Sequence, residues 1–174
     1  MIGMAKSDSF FIRAEISSPD GTFQQTAIDL GSYVDVLDKS VLRILRVEVQ
    51  HPRIGASGTA SAHTSLSEYQ LTTQSQGAMV SLTDKSVIAT GKLLASFAPA
   101  SGSPAFGYAT AISDDFDVTP QQWTNGYLVG VEQIYFGSQQ TNDADFTGSI
   151  EVMIECVVET LNASAAMALS LSQQ

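Results

Sequence analysis

Apolar and polar residues alternate along much of this chain with a period of two, the pattern of strands that bury one face. Phe10, Ile12, Ala14 and Ile16 take one side, Phe11, Arg13 and Glu15 the other, and Pro19, Asp20 and Gly21 then supply a tight turn. Residues 23–30 form the predicted return strand, closed by Gly31. In the first half the clearest strand has Leu45, Val47 and Val49 on one face and Arg46, Glu48 and Gln50 on the other, with Pro52 ending it. Two stronger strands come late. Residues 127–136 are rich in β-branched and aromatic side chains, and residues 148–161 set Ile150, Val152, Ile154, Cys156 and Val158 against Glu151, Met153, Glu155, Val157 and Glu159.

The intervening segments carry weaker signals. In residues 33–40, Val34, Leu37 and the following Val41 fit either a short helical turn or a bend. The Gly, Ala, Ser and Thr stretch at 54–65 predicts a long surface loop. Short strands are expected at 67–74 and 78–82, a turn at Asp84-Lys85, and a strand at 86–97 with Gly91 as its bulge candidate. A second long loop at 98–107 leads to a short strand at 108–112. An acidic loop at 113–126 follows, in which Pro120 is placed to open a helical turn reaching Trp123. From Asn162 the chain is Ala-rich, either a short helix capped by that residue or an arm docked on a neighbour. Seven or eight strands with no amphipathic helices between them predict an all-β fold, an antiparallel two-sheet sandwich such as an eight-stranded jelly roll. No repeat or linker divides the sequence, so residues 1–174 are expected to form a single β-sandwich domain with a short N-terminal arm (1–9) and a C-terminal tail (162–174).

Composition narrows this picture. A chain of 174 residues is long enough to bury roughly 70% of its unfolded surface. Hydrophobic residues make up 44% and charged residues only 15%, so the surface must be largely Ser, Thr, Gln and Gly, which disfavours a helical bundle. The net charge of −10 repels phosphate backbones and argues against general nucleic-acid binding. The imbalance is concentrated after residue 53, where eleven acids face two cations. A lone cysteine, Cys156, has no disulfide partner and reads as a small buried hydrophobe. Residues 1–9 show neither the basic flank nor the apolar core of a signal peptide, which predicts a chain cytosolic as made or a mature secreted one whose leader is gone. No transmembrane segment is expected, since no apolar stretch reaches the length of a span.

Candidate chemistry is sparse. There is no nucleophile elbow, no phosphate-binding glycine loop and no Cys–His pairing, so no catalytic residue is assigned and the protein is read as not an enzyme. His51, His63 and Glu68 have the donor types of a zinc site, but their spacing matches no standard ligand pattern and the histidines are expected to be solvated. Asp114, Asp115 and Asp117, and again Asp143 and Asp145, offer hard oxygens suited to calcium. Neither group has a glycine-anchored loop, and the strand at 127–136 is expected to hold them apart at opposite ends, so no metal and no cofactor is assigned. Trp123 and Tyr127 are either a sugar-stacking platform or residues at the edge of the core, the second being expected. Asn162-Ala163-Ser164 matches a glycosylation sequon, which has meaning only in a secreted eukaryotic setting. Arg43, Arg46 and Arg53 lie on one strand and its exit, placed to meet a polyanion or an acidic neighbouring subunit, or to balance the acidic second half.

The segment Thr26-Ala27-Ile28-Asp29-Leu30-Gly31-Ser32-Tyr33 running into residues 41–52, with the closing strands 127–136 and 148–161, resembles the single jelly-roll coat proteins of small icosahedral viruses. The resemblance covers most of the chain as a pattern of strands, small-residue loop tips and terminal arms. It implies a capsid or coat subunit located in the virion, assembling with copies of itself and other virion proteins as a homo-oligomer. One departure matters: residues 1–9 contain only Lys6 where coat proteins that package naked single-stranded genomes carry a basic arm. The pattern then implies a shell with little protein–genome contact, a membrane-containing virion, or a decoration or vertex protein. The competing reading is a carbohydrate- or ligand-binding β-sandwich.

Overall fold

A computed structural model describes residues 7–17, 21–35, 37–51, 63–99, 107–113, 121–142 and 148–174. The described chain is nine strands and one helix: β1 (Phe10–Ser17), β2 (Gln24–Asp29), β3 (Ser40–Gln50), β4 (His63–Thr72), β5 (Val87–Pro99), β6 (Gly107–Ser113), β7 (Gln121–Val129), β8 (Gln133–Asn142), β9 (Ser149–Thr160) and α1 (Ala163–Ser172). Two antiparallel sheets result, in the orders β1-β9-β3-β7 and β2-β8-β4-β5-β6. The pairing is nested about the centre of the chain: β4 with β5, β3 with β7, β2 with β8 and β1 with β9. The β3–β9 and β4–β8 ladders complete the sheets. Folding one long hairpin over on itself in this manner gives a jelly roll. Eight of the nine described strands give that order, as a jelly roll requires; β6, expected as a short strand at 108–112, is added along the otherwise free edge of β5, and β7 begins where a loop was expected.

Alternation explains which faces close on each other. In β9, Ile150, Val152, Ile154 and Cys156 are buried and point to the core, as do Ile12, Ala14 and Ile16 of the neighbouring β1. From the other sheet Tyr69, Leu71, Ala89, Ile134 and Phe136 meet them. At roughly 25 cal/mol per Å² of apolar surface, this interface is the main source of stability. In β3 the alternation breaks. The register shifts between Ile44 and Arg46, so Leu42 and Ile44 face the core before the bulge and Val47 and Val49 after it. The expected grouping of Leu45 with Val47 and Val49 is therefore corrected: Leu45 is the extra residue that changes the phase.

Other boundaries also differ from the periodicity. Residues 127–136 are not one strand. Gly130, Val131 and Glu132 turn the chain from the end of β7 into the opposite sheet, and an added Cβ at Gly130 would lie 3.0 Å from Leu169. The helical turn expected at Trp123 is instead part of β7. Residues 78–82 are not a strand but belong to the β4–β5 connection. There the buried Gln70 amide holds the loop, donating to the Ala78 carbonyl at 3.2 Å and accepting from the Val80 N–H at 2.8 Å. Gly91 pairs regularly with Tyr69, and the irregularity of this hairpin lies between Leu71 and Thr72. Residues 31–33 and 37–39 are turns, closed by an isolated Asp35–Ser40 bridge. The tail takes the first of its two readings: α1 is capped by Asn162, whose Oδ1 accepts from the Ala165 N–H at 2.8 Å.

Candidate functional site

The nested pairing sorts the connections to two ends of the sandwich. At one end lie residues 30–35, 37–39, 73–86, 130–132 and the C-terminal helix, between strand ends that register holds together. At the other, β1 and β3 finish and β4 and β9 begin. The chemistry-bearing side chains fall into three places on this frame.

The first is on the outer face of the four-stranded sheet, where β3 lies between β9 and β7. Arg43 Nε and Nη2 donate to the two carboxylate oxygens of Glu159 at 2.8 and 2.7 Å, and Nη1 donates to the Asn125 carbonyl. The Glu159 side chain is 0% exposed and that of Arg43 16%. The bidentate contact raises the guanidinium pKa above its ordinary value, against the opposing effect of burial. Asn125 is available because β7 slips against β3 between Tyr127 and Gln122, and Gly126 turns there with φ +69°. A Cβ at that position would lie 2.6 Å from the Ile44 carbonyl oxygen, so the turn requires glycine. Arg43 is thus held inside the sheet by an acid of the second half, with three of its nitrogens engaged. Arg46 is half-buried and paired with Glu48 at 2.8 Å, and Arg53 lies outside the described residues. The reading of these arginines as an open cationic surface gives way at Arg43, since its guanidinium fork is turned to Glu159.

The second place is the inter-sheet space at the end where β3 finishes. His51 Nδ1 lies 2.9 Å from Ser67 Oγ, and the imidazole meets Tyr69 edge-on at 5.9 Å. Burial pushes the imidazole down to about 4, so the ring is neutral at neutral pH. Its surroundings replace the solvated loop position expected of it. An open cleft of about 980 Å³ runs beside it, with Ala14, Val49 and Val152 on one sheet and Tyr69 and Leu93 on the other. His63 begins β4, four residues before Ser67, which places its backbone about 13 Å along the strand from the residue His51 touches. Glu68 points to the opposite face of that strand from Ser67. Neither the His63 backbone nor the Glu68 side chain is therefore set beside the His51 ring, and no group of three or more His, Cys, Asp or Glu able to hold a metal occurs among the described residues. Asp114, Asp115, Asp117, Asp143 and Asp145 lie outside the described residues.

The third place is the seam between β7 and the C-terminus. Trp123 and Tyr127 stand 5.8 Å apart at 47° and are partly buried against the core. Burial raises the Tyr127 phenol, against a hydrogen bond to the Gln173 side chain that lowers it. Gln173 also donates to the Leu128 carbonyl at 2.7 Å and accepts from the Gly130 N–H at 2.8 Å, pinning the helix to the end of β7. The rings are angled and packed inward, which places them at the edge of the core. Cys156 is fully buried, and burial together with Glu155 pushes its thiol up to about 12, so it is unreactive near neutrality.

Sequence reasoning did not anticipate the Arg43–Glu159 pair or the His51 cleft. The available signal for the first was an acid in an otherwise apolar strand end, together with an Asn-Gly dipeptide at 125–126. No family model matches this chain, and no curated protein matches it. Among solved structures it is similar to a chain from Desmodium yellow mottle tymovirus, at 10% identity and a TM-score of 0.32, over 91% of this chain and 88% of that one. At that TM-score the backbones do not superpose closely, and the jelly-roll assignment stands on the strand pairings alone.

Proposed function

We propose that this chain is a coat-type structural subunit of a virion, without a catalytic role, that associates with copies of itself and with other virion proteins. A jelly roll is compatible with many functions, so the surface must carry the reading. The supporting observation is the contrast between its interior and exterior. Cys156 is buried and the Arg43 guanidinium is engaged by Glu159, whereas Leu37, Leu82, Met167 and Leu171 stand 88, 70, 57 and 66% exposed. Large apolar side chains left in water favour a contact role. The low charged fraction works in the same direction, since neutral polar surfaces form wet interfaces with little repulsion. Many such contacts in a closed symmetric array reinforce one another.

Sedimentation and negative-stain imaging of the purified full chain test this. Rings, lattices or shells are expected. A strictly monomeric species at high concentration across salt and pH would remove the proposal.

A second reading has its own support in the cleft of about 980 Å³ beside His51, a volume that suits a small molecule. Ligand binding there would quench or shift Tyr69 and protect His51 from carbethoxylation. Unchanged His51 reactivity across a panel of glycans and apolar ligands would leave the coat reading alone.

A further inference from the structure

Helix α1 is apolar on both sides. Its buried face carries Ala166 and Ser170, yet Met167 and Leu171, one turn apart, project into solvent beside the exposed Ser164, Ala168 and Ser172. A helix that is hydrophobic all round is normally covered all round. We infer that the helix-bearing end of the sandwich, centred on Met167 and Leu171, is the surface by which one copy of this chain docks on a second copy. The inference rests on the coat reading and specifies where its contact lies.

Three observations select a second copy as the occupant. The first is charge. A copy carries the same net −10, so repulsion is smallest where charge is absent, and no Asp, Glu, Lys or Arg occurs from Leu161 to Gln174. Both signs flank the helix: Lys85 Nζ donates to the Gln174 carbonyl at 3.2 Å, and Glu132 lines a groove of about 510 Å³ with Val131, Met167 and Leu171. A two-fold mate presents the same pair of charges in return. The second is shape. Met167 and Leu171 form a ridge beside the shallow row of Ser164, Ala168 and Ser172, so the ridge of each helix fits the row of the other. The third is area. The helix alone is about 15 Å long and too small to hold a dimer. The exposed Leu37 and Leu82, however, emerge from residues 31–39 and 73–86 at the same end. An end about five strands wide and two sheets deep approaches the roughly 800 Å² per partner of a standard interface.

The test compares the full chain with Met167→Glu, Leu171→Glu and, as a control at the opposite end, Ser17→Glu at the exposed finish of β1, by sedimentation velocity across a concentration series. The two helix variants are expected to weaken association at least tenfold with unchanged circular dichroism, while Ser17→Glu associates like the parent. Ala168→Cys supplies a positive arm: mild oxidation should give a disulfide-linked dimer on a non-reducing gel, with little background from the buried Cys156. If the parent assembles and the helix variants assemble equally well, this surface is wrong while the coat reading survives. If the parent never associates, both fall. Ala168→Cys giving only monomer from an assembling parent also overturns the proposed contact.

Discussion

On the outer face of the four-stranded sheet, Glu159 is wholly buried and both its carboxylate oxygens accept from Arg43. On the inner face of the five-stranded sheet, Gln140 is as fully buried, yet neither its amide nitrogen nor its amide oxygen finds a partner among the described residues. Ser138, two residues earlier on the same face, is likewise buried with an unpartnered hydroxyl. The same chain thus buries polar groups in two ways. Where a charge is enclosed, its hydrogen bonds are made and they fix β3, β7 and β9 in one register. Where a neutral amide is enclosed, desolvation opposes folding with no compensating contact among the described residues. The comparison separates polar burial that specifies the structure from polar burial that the hydrophobic core merely tolerates.

The largest effect is expected from breaking the satisfied centre on one side. Glu159→Ala leaves the Arg43 guanidinium enclosed without its carboxylate and should destabilise by about 3–5 kcal/mol in urea unfolding. The double variant Arg43→Met, Glu159→Leu should recover most of that loss, because no charge is then left buried. A double variant as unstable as the single one would mean the pair matters for packing and not for charge.

Gly126→Ala attacks the same centre through the backbone. It places a Cβ against the Ile44 carbonyl at a positive φ and should cost about 2 kcal/mol or more. Because it shares Arg43 with Glu159, its effect should be less than additive with Glu159→Ala in a double-mutant cycle.

His51 offers an intermediate case, a titratable group enclosed with one partner. Its folded pKa of about 4 lies below the ordinary 6.5, so folding favours the neutral ring. Its contribution is fully present above pH 6.5, declines as the pH falls toward 4, and changes no further below that. About 2 kcal/mol is expected over this window, allowing for the solvent contact the ring retains. His51→Gln should flatten that part of the pH–stability curve, and an unchanged slope would show the ring to be solvated.

The smallest effect, and the only favourable one, is expected at the unsatisfied amide. Gln140→Leu removes a desolvated donor and acceptor while keeping the volume, and should be neutral or stabilising by up to about 1 kcal/mol. A loss of 2 kcal/mol or more would show that Gln140 is hydrogen-bonded in solution and that the contrast drawn above is false.

The legible parts of the fold were those governed by neighbours in sequence. Alternation in residues 150–156 named the core side chains of β9, and Asn162 before an Ala-rich run named the cap of α1. Three of the misplaced boundaries occur where one residue overrides a local pattern. Gly130 ends β7 inside a run of good strand formers, Leu45 shifts the phase of β3, and the Gln70 amide recruits residues 78–80 into a loop although their composition suits a strand. The site was less legible than the fold. Arg43 read as a surface cation because Glu159 is 116 positions away, and His51 read as a loop residue because the strand that encloses it begins beyond it in the chain.

By itself the sequence determined that this protein is built from strands with one buried face and that its exterior is acidic and poor in charge. Both follow from side-chain polarity at short range, which no partner strand has to supply. Only the tertiary structure decided that the strands nest as a jelly roll, that Arg43 faces Glu159, and that Leu37, Leu82, Met167 and Leu171 gather at one end. Those outcomes depend on contacts between residues far apart in the chain. A period of two says which way a side chain points and carries no information about what it will meet.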